Sequence, residues 1–186
     1  KKGLKIQGNI NYLHGERNSV GYMKPISIAD TFNLSLNSYN PREVDIDVYN
    51  TISSEIRFNK GYAFGKNNHV LTGGIRYCLS DIHRQQKGIG TGNAAFDLSV
   101  SPDNNGNYFQ RDLDLQTQNV AAFVENLFQI GKRLSLVPGY RIESIQASMS
   151  GRSNSIPGGY LTEQQKDRIL MLGGVSAKYT LAKKAN

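Results

Sequence analysis

The chain has no tryptophan and a single cysteine, Cys78. One thiol can neither close an internal disulfide nor build a cysteine-based metal site. Long apolar runs are missing too. No stretch of about 18 apolar residues occurs, which excludes a transmembrane helix. Only 38% of the 186 residues are hydrophobic, and mean hydropathy is −0.46. Two classes remain: soluble domains, and membrane β-barrels whose alternating strands escape a hydropathy scan. Acidic residues are outnumbered, 15 against 22 Lys and Arg, for a net charge of +7 and a pI near 9.5. The basic residues are scattered and form no arginine-rich helix, so nucleic acid is not an expected partner. The opening "KKGLKIQ" has neither Met nor a signal peptide, which reads as a processed chain or a piece of a longer one.

What the chain does have is alternation. Six segments repeat apolar and polar residues with a period of two, the signature of strands with unlike faces. Residues 3–14 set Leu4, Ile6, Ile10 and Tyr12 against Lys5, Gln7, Asn9 and Asn11. Residues 44–58 set Val44, Ile46, Val48, Ile52, Ile56 and Phe58 against Asp45, Asp47, Thr51, Ser53, Glu55 and Arg57. Residues 69–84 and 168–181 alternate in the same way, around Ile75 and Tyr77 and around Met171 and Val175. The stretch 133–150, "RLSLVPGYRIESIQASMS", places Leu134, Leu136, Tyr140 and Ile142 opposite Ser135, Arg141 and Glu143. The segment 111–130 leaves its faces open, because Asn126 interrupts one parity and Glu125 the other. A helix over 161–172, with Thr162 as its N-cap, is a competing reading. The strand "LGGVSAKYTL" that continues from it argues against that reading.

Short and long connections alternate along the chain. Short turns are expected at about 61–68 and 130–133, and long loops rich in Gly, Asn, Ser and Pro at about 15–43, 85–110 and 149–166. Compact soluble domains rarely carry three long loops. Outer-membrane barrels have short periplasmic turns at one rim and long extracellular loops at the other. Phe58, Tyr62, Phe64, Phe128 and Tyr179 lie near the short-turn rim, as an interfacial aromatic girdle requires. The expected fold is therefore all-β, an antiparallel transmembrane β-barrel segment.

The stretch 115–145 resembles a hairpin of TonB-dependent outer-membrane receptors. The resemblance rests on Gln118, Asn119, Ala121, Phe123, Glu125, Asn126, Phe128 and Ile130 before the turn. After it come Leu134, Ser135, Leu136, Pro138, Gly139, Arg141 and Glu143. Ile142 stands where the family commonly has an aromatic residue. The flavour is closest to the ferric-citrate type. The resemblance implies a barrel of about 22 strands around an N-terminal plug. On that reading this chain is an internal fragment of about six strands, with the plug and the remaining strands as its partners. It also implies localisation in the Gram-negative outer membrane, contact with lipid and lipopolysaccharide, and energisation by TonB acting through the plug. The function it implies is active import of a scarce ligand, a ferric siderophore or ferric-citrate-type chelate.

Cationic groups near the outer mouth would steer such an anionic chelate. The candidate substrate-binding residues are His83, Arg84, Arg111 and Arg152, with His14, Arg17 and Lys87 nearby. Arg141, Glu143, Arg76, Arg57 and Glu55 are expected to face the lumen and hold the plug, and Asp45 and Asp47 to play a similar structural part. No covalent chemistry, resident cofactor or metal site is expected. His14, His69 and His83 lack metal-ligand spacing, and "GIGTGN" at 88–93 is not followed by a helix as a phosphate loop would be. The acidic run around Asp103 and Asp112 lacks the ordered spacing of a calcium loop. Two other functions fit the same strands: a passive porin-like or adhesin-like barrel, and a soluble ligand-binding β-barrel.

Overall fold

The computed structural model describes residues 3–35, 37–93, 95–155 and 160–181. They form one antiparallel sheet of seven strands and no helix. The strands are β1 (Leu4–Gly21), β2 (Glu43–Phe64), β3 (Asn67–Gly90), β4 (Val100–Ser101), β5 (Phe109–Ile130), β6 (Leu134–Ser153) and β7 (Tyr160–Tyr179). The long strands pair in chain order, β1-β2-β3-β5-β6-β7, and the short β4 pairs with the end of β3. The sheet is open, with β1 and β7 as its edges. All six alternating segments are strands, and the competing helix over 161–172 is absent because β7 runs through it.

Strand length is the notable feature. Five of the six long strands have 20 to 24 residues and β1 has 18, where about 5–6 is usual in globular proteins. They extend well into segments whose polarity suggested loops. The long connections narrow to 22–42, 91–108 and 154–159. The first short connection tightens to Gly65 and Lys66, with Gly65 at φ +62° as a two-residue hairpin requires at its first position. The second is 131–133, and Gly131 is at φ +61°.

The register joins the alternations into two continuous faces. Gly8, Ile56, Ile75, Ala122, Ile142 and Met171 form one cross-strand row. Ile6, Phe58, Gly73, Val124, Tyr140 and Gly173 form the next row of this apolar face. On β7 the face runs unbroken from Ile169 through Met171, Val175 and Ala177 to Tyr179. A strand stretch of that length, tilted about 40°, spans roughly 25 Å. Toward the long loops the same face turns polar at Asn50, Asp81, Gln116, Ser148 and Gln165.

The structure resolves the faces of β5. Val120, Ala122, Val124 and Phe128 join the apolar face, and the intruding Asn126 donates from Nδ2 to the Tyr62 hydroxyl at 2.8 Å. Ala121, Phe123 and Glu125 lie on the other face.

The sheet has no interior. Among the described residues only Val44, Phe109 and Ala121 are buried hydrophobics. Ile56 is 65% exposed, Ile75 60% and Val175 73%. A contiguous uncovered face of this kind marks an interaction surface rather than a soluble core.

Candidate functional site on the charged face

The opposite face gathers the charges, because every second residue of β2, β3, β5 and β6 points there. Glu55, Arg76, Ala121 and Glu143 form one cross-strand row. Arg57, Gly74, Phe123 and Arg141 form the next. Arg57, Arg76, Arg141, Glu55 and Glu143 therefore share one face of the sheet. Arg57 Nη2 lies 2.8 Å from Glu55 Oε1. Arg141 Nε donates to Glu143 Oε1, and Asn119 Nδ2 donates to Glu143 Oε2 at 3.0 Å.

Phe123 lies at the centre of this cluster. The Arg57 guanidinium sits 5.4 Å from its ring centroid, a cation–π distance. Its ring covers Gly74: a Cβ there would come within 2.8 Å of Phe123 Cζ and 2.5 Å of the Ile56 carbonyl oxygen. Phe58 covers Gly73 in the same way on the apolar face. The paired glycines thus let one aromatic ring lie against each side of β3. Around Phe123 a concavity of about 720 Å³ is lined by Glu55, Arg57, Arg76, Glu125 and Arg141, among others.

A second cluster lies toward the long loops. Asp47 is fully buried and pairs with Arg17 Nη2 at 2.6 Å. It also faces Arg84 Nε at 3.3 Å, an ion contact without hydrogen-bond geometry, and accepts from the Tyr49 hydroxyl at 3.2 Å. Arg17, Asp47 and Arg84 are register partners across β1, β2 and β3. Asp45 faces a β-bulge in β3, where Gln86 and Lys87 together oppose it; its carboxylate accepts the Lys87 backbone N–H at 2.9 Å and Lys87 takes φ +56°.

The four mouth candidates do not come together. Arg84 and Arg111 lie on the charged face. His83 and Arg152 fall on the opposite parity, in register with Asp114 and Asp112 respectively. His83 is engaged by Asp114 at 2.7 Å and Asp112 at 3.4 Å. Arg152 donates to the Phe109 carbonyl oxygen and, at 3.0 Å, to Asn154 Oδ1. His14 also lies on that side, bonded through Nδ1 to Asn50 at 2.8 Å. Parity counting along 81–87 and 109–114 would have separated them, had the register been known.

The loops are more organised than their composition suggests. In 22–42, Arg42 pairs with Asp30 at 2.7 Å and lies over the rings of Tyr22 and Tyr39, at 5.8 and 5.7 Å. In 91–108, the Asp103 carboxylate accepts the backbone N–H groups of Asn107 and Asn105, at 2.9 and 2.8 Å. The bond from Asn107 is the main cause holding its carboxyl below the ordinary range. Asp103 closes its own turn rather than offering ligands outward. No group of three or more His, Cys, Asp or Glu able to hold a metal ion occurs among the described residues.

Neither a protein-family model nor a curated protein sequence matches this chain.

Proposed function

We propose that this chain is a barrel segment of a TonB-dependent outer-membrane receptor that imports an anionic ferric chelate. The observation that carries the membrane assignment is the uncovered apolar face, roughly 25 Å tall and bounded on one side by short turns and aromatic rings. In water such a face would collapse onto another surface; against acyl chains it needs no cover. On this reading the charged face looks into the lumen, where Arg57, Arg76, Arg141 and their carboxylates hold a plug. Plug and closing strands come from the rest of the receptor, since unpaired edges in lipid are costly. The resemblance at 115–145 supports a TonB-driven receptor over a passive pore.

At the mouth, Arg84 and Arg111 are the cations placed to meet a substrate in the lumen. His83 and Arg152, on the opposite parity, would meet lipopolysaccharide instead. The test is uptake of radiolabelled ferric citrate and ferric siderophores by cells carrying the full-length gene under iron limitation. Uptake abolished by a protonophore or by loss of TonB is expected. Uptake that survives both would make the barrel a passive pore.

A further inference from the structure

The net charge is distributed along the strands, not spread evenly. Between Glu55 and Asp81 the sequence contains no Asp or Glu, nor does it between Glu125 and Glu143, or after Asp167. These gaps enclose the two short turns and the matching end of β7. Lys60, Lys66, Lys132 and Arg133 stand there, all exposed, and none forms an ion pair among the described residues. The acids Glu16, Asp45, Asp47, Asp81, Asp112 and Asp114 lie toward the opposite end of the sheet. Among the described residues the short-turn rim is therefore cationic, and its cations have no paired carboxylate.

Beside this rim the apolar face is indented. A groove of about 440 Å³ is lined by Phe64, His69, Phe128, Leu136, Pro138 and Val175, among others. His69 is only 6% exposed, and it sits two register pairs in from the pair closing the first turn, opposite Tyr62. Its Nδ1 accepts the Gln129 backbone N–H at 3.2 Å, which leaves the proton of the neutral ring on Nε2. That Nε2 has no hydrogen-bond partner among the described residues, and the rings of Tyr62 and Phe128 flank the imidazole at 5.2 and 5.7 Å.

We infer that this rim and groove bind an anionic glycerophospholipid of the leaflet that faces the short turns. Lys66, Lys132 and Arg133 take the phosphate, and the groove takes an acyl chain. His69 Nε2–H, reached by displacement of the 78% exposed Phe64 ring, donates to a phosphate or ester oxygen. Charge complementarity selects this occupant. A second copy of the chain would bring the same cations against these, and a neutral partner would leave them without counter-ions. Juxtamembrane Lys and Arg are drawn to anionic lipid surfaces. The inference rests on the membrane reading above, and the experiment separates the two.

The full-length receptor is reconstituted into nanodiscs of phosphatidylcholine with or without 30% phosphatidylglycerol, and retained lipid is counted by native mass spectrometry. Phosphatidylglycerol should be retained with about a tenfold preference over phosphatidylcholine, equivalent to about 1.4 kcal/mol. The triple variant K66Q/K132Q/R133Q should lose that preference while still inserting. Val175→Trp, which fills the groove, should lower the number of tightly held lipids and leave insertion unchanged. Equal retention of the two lipids, or a preference that survives the triple variant, overturns the lipid site. A preference lost in the triple variant but unaffected by groove filling reduces it to general surface attraction and overturns the groove. A receptor that stays soluble without detergent overturns the membrane reading itself.

Discussion

At the scale of single residues, burial and pairing decide where substitution is felt. Asp47 is fully buried between two arginines that keep partial access to solvent. Asp47→Ala leaves Arg84 without its carboxylate and Arg17 with only Asp45 at 3.9 Å, and we expect a loss of about 1–3 kcal/mol. Asp47→Asn, which keeps an acceptor, should lose less. The thermal unfolding midpoint of the full-length protein measures both, and equal midpoints for wild type and Asp47→Ala would contradict the cluster. Asp103 makes a pH-dependent contribution. Its carboxyl is depressed in the folded loop, so its stabilisation is complete above the ordinary aspartate value of about 3.9. It is lost as pH falls through the lower, folded value. The Asn107 amide resonance should report a titration midpoint below that ordinary value; a midpoint at or above it would contradict the hydrogen bonds seen here. The identities of these residues were plain in the sequence, but their partners were not. Arg17, Asp47 and Arg84 are brought together by strand pairing between residues far apart in the chain.

At the scale of elements, the two faces of each strand are chemically different and should respond differently. Ile75→Arg puts a charge in the middle of the apolar face, which on the proposed membrane reading costs about 2–4 kcal/mol against lipid. Ser80→Arg places the same side chain on the charged face of the same strand. On the membrane reading proposed above, the first should block membrane assembly of the full-length protein and the second should not, as read by surface protease protection. Equal assembly of the two would reverse or abolish the assignment of faces. Glycines test the packing on β3. Gly74→Ala drives a Cβ against the Ile56 carbonyl and the Phe123 ring, an overpacking of about 1–3 kcal/mol. Gly174→Ala meets nothing within 4 Å and should be close to neutral. The alternation of β2, β3 and β6 was legible because their parities are clean. That of β5 was not, since Asn126 and Glu125 each offend one face. Only the pairing with Ile75 and Ile142, and the Tyr62 hydroxyl that receives Asn126, settles which residue is the exception.

At the scale of the whole molecule, the sheet is a curtain of long strands with two free edges and no core. Stability has to come from what covers it, on both faces and at both edges. The 186-residue chain expressed alone should therefore aggregate or pair edge to edge instead of inserting. Analytical ultracentrifugation in mild detergent checks this, and a monodisperse folded monomer would contradict it. Charge follows the same axis. The short-turn rim carries cations without acids, while the long-loop end carries both signs, a polarity that composition, reported as a single net value, conceals.

The sequence by itself determined that the chain makes strands and not helices, where the short turns fall, and which residues of most strands share a face. Those are local properties, governed by a period of two and by glycine at the turns. The tertiary structure decided how far the strands extend. Polar alternation at 15–21, 85–90 and 149–153 looks like loop until a neighbouring strand satisfies its backbone. It also decided which partners Arg84 and His83 meet on their opposite faces, and that residues beside two separate turns line one groove. Cross-strand register sets these relations, and register comes from pairing residues that are distant along the chain.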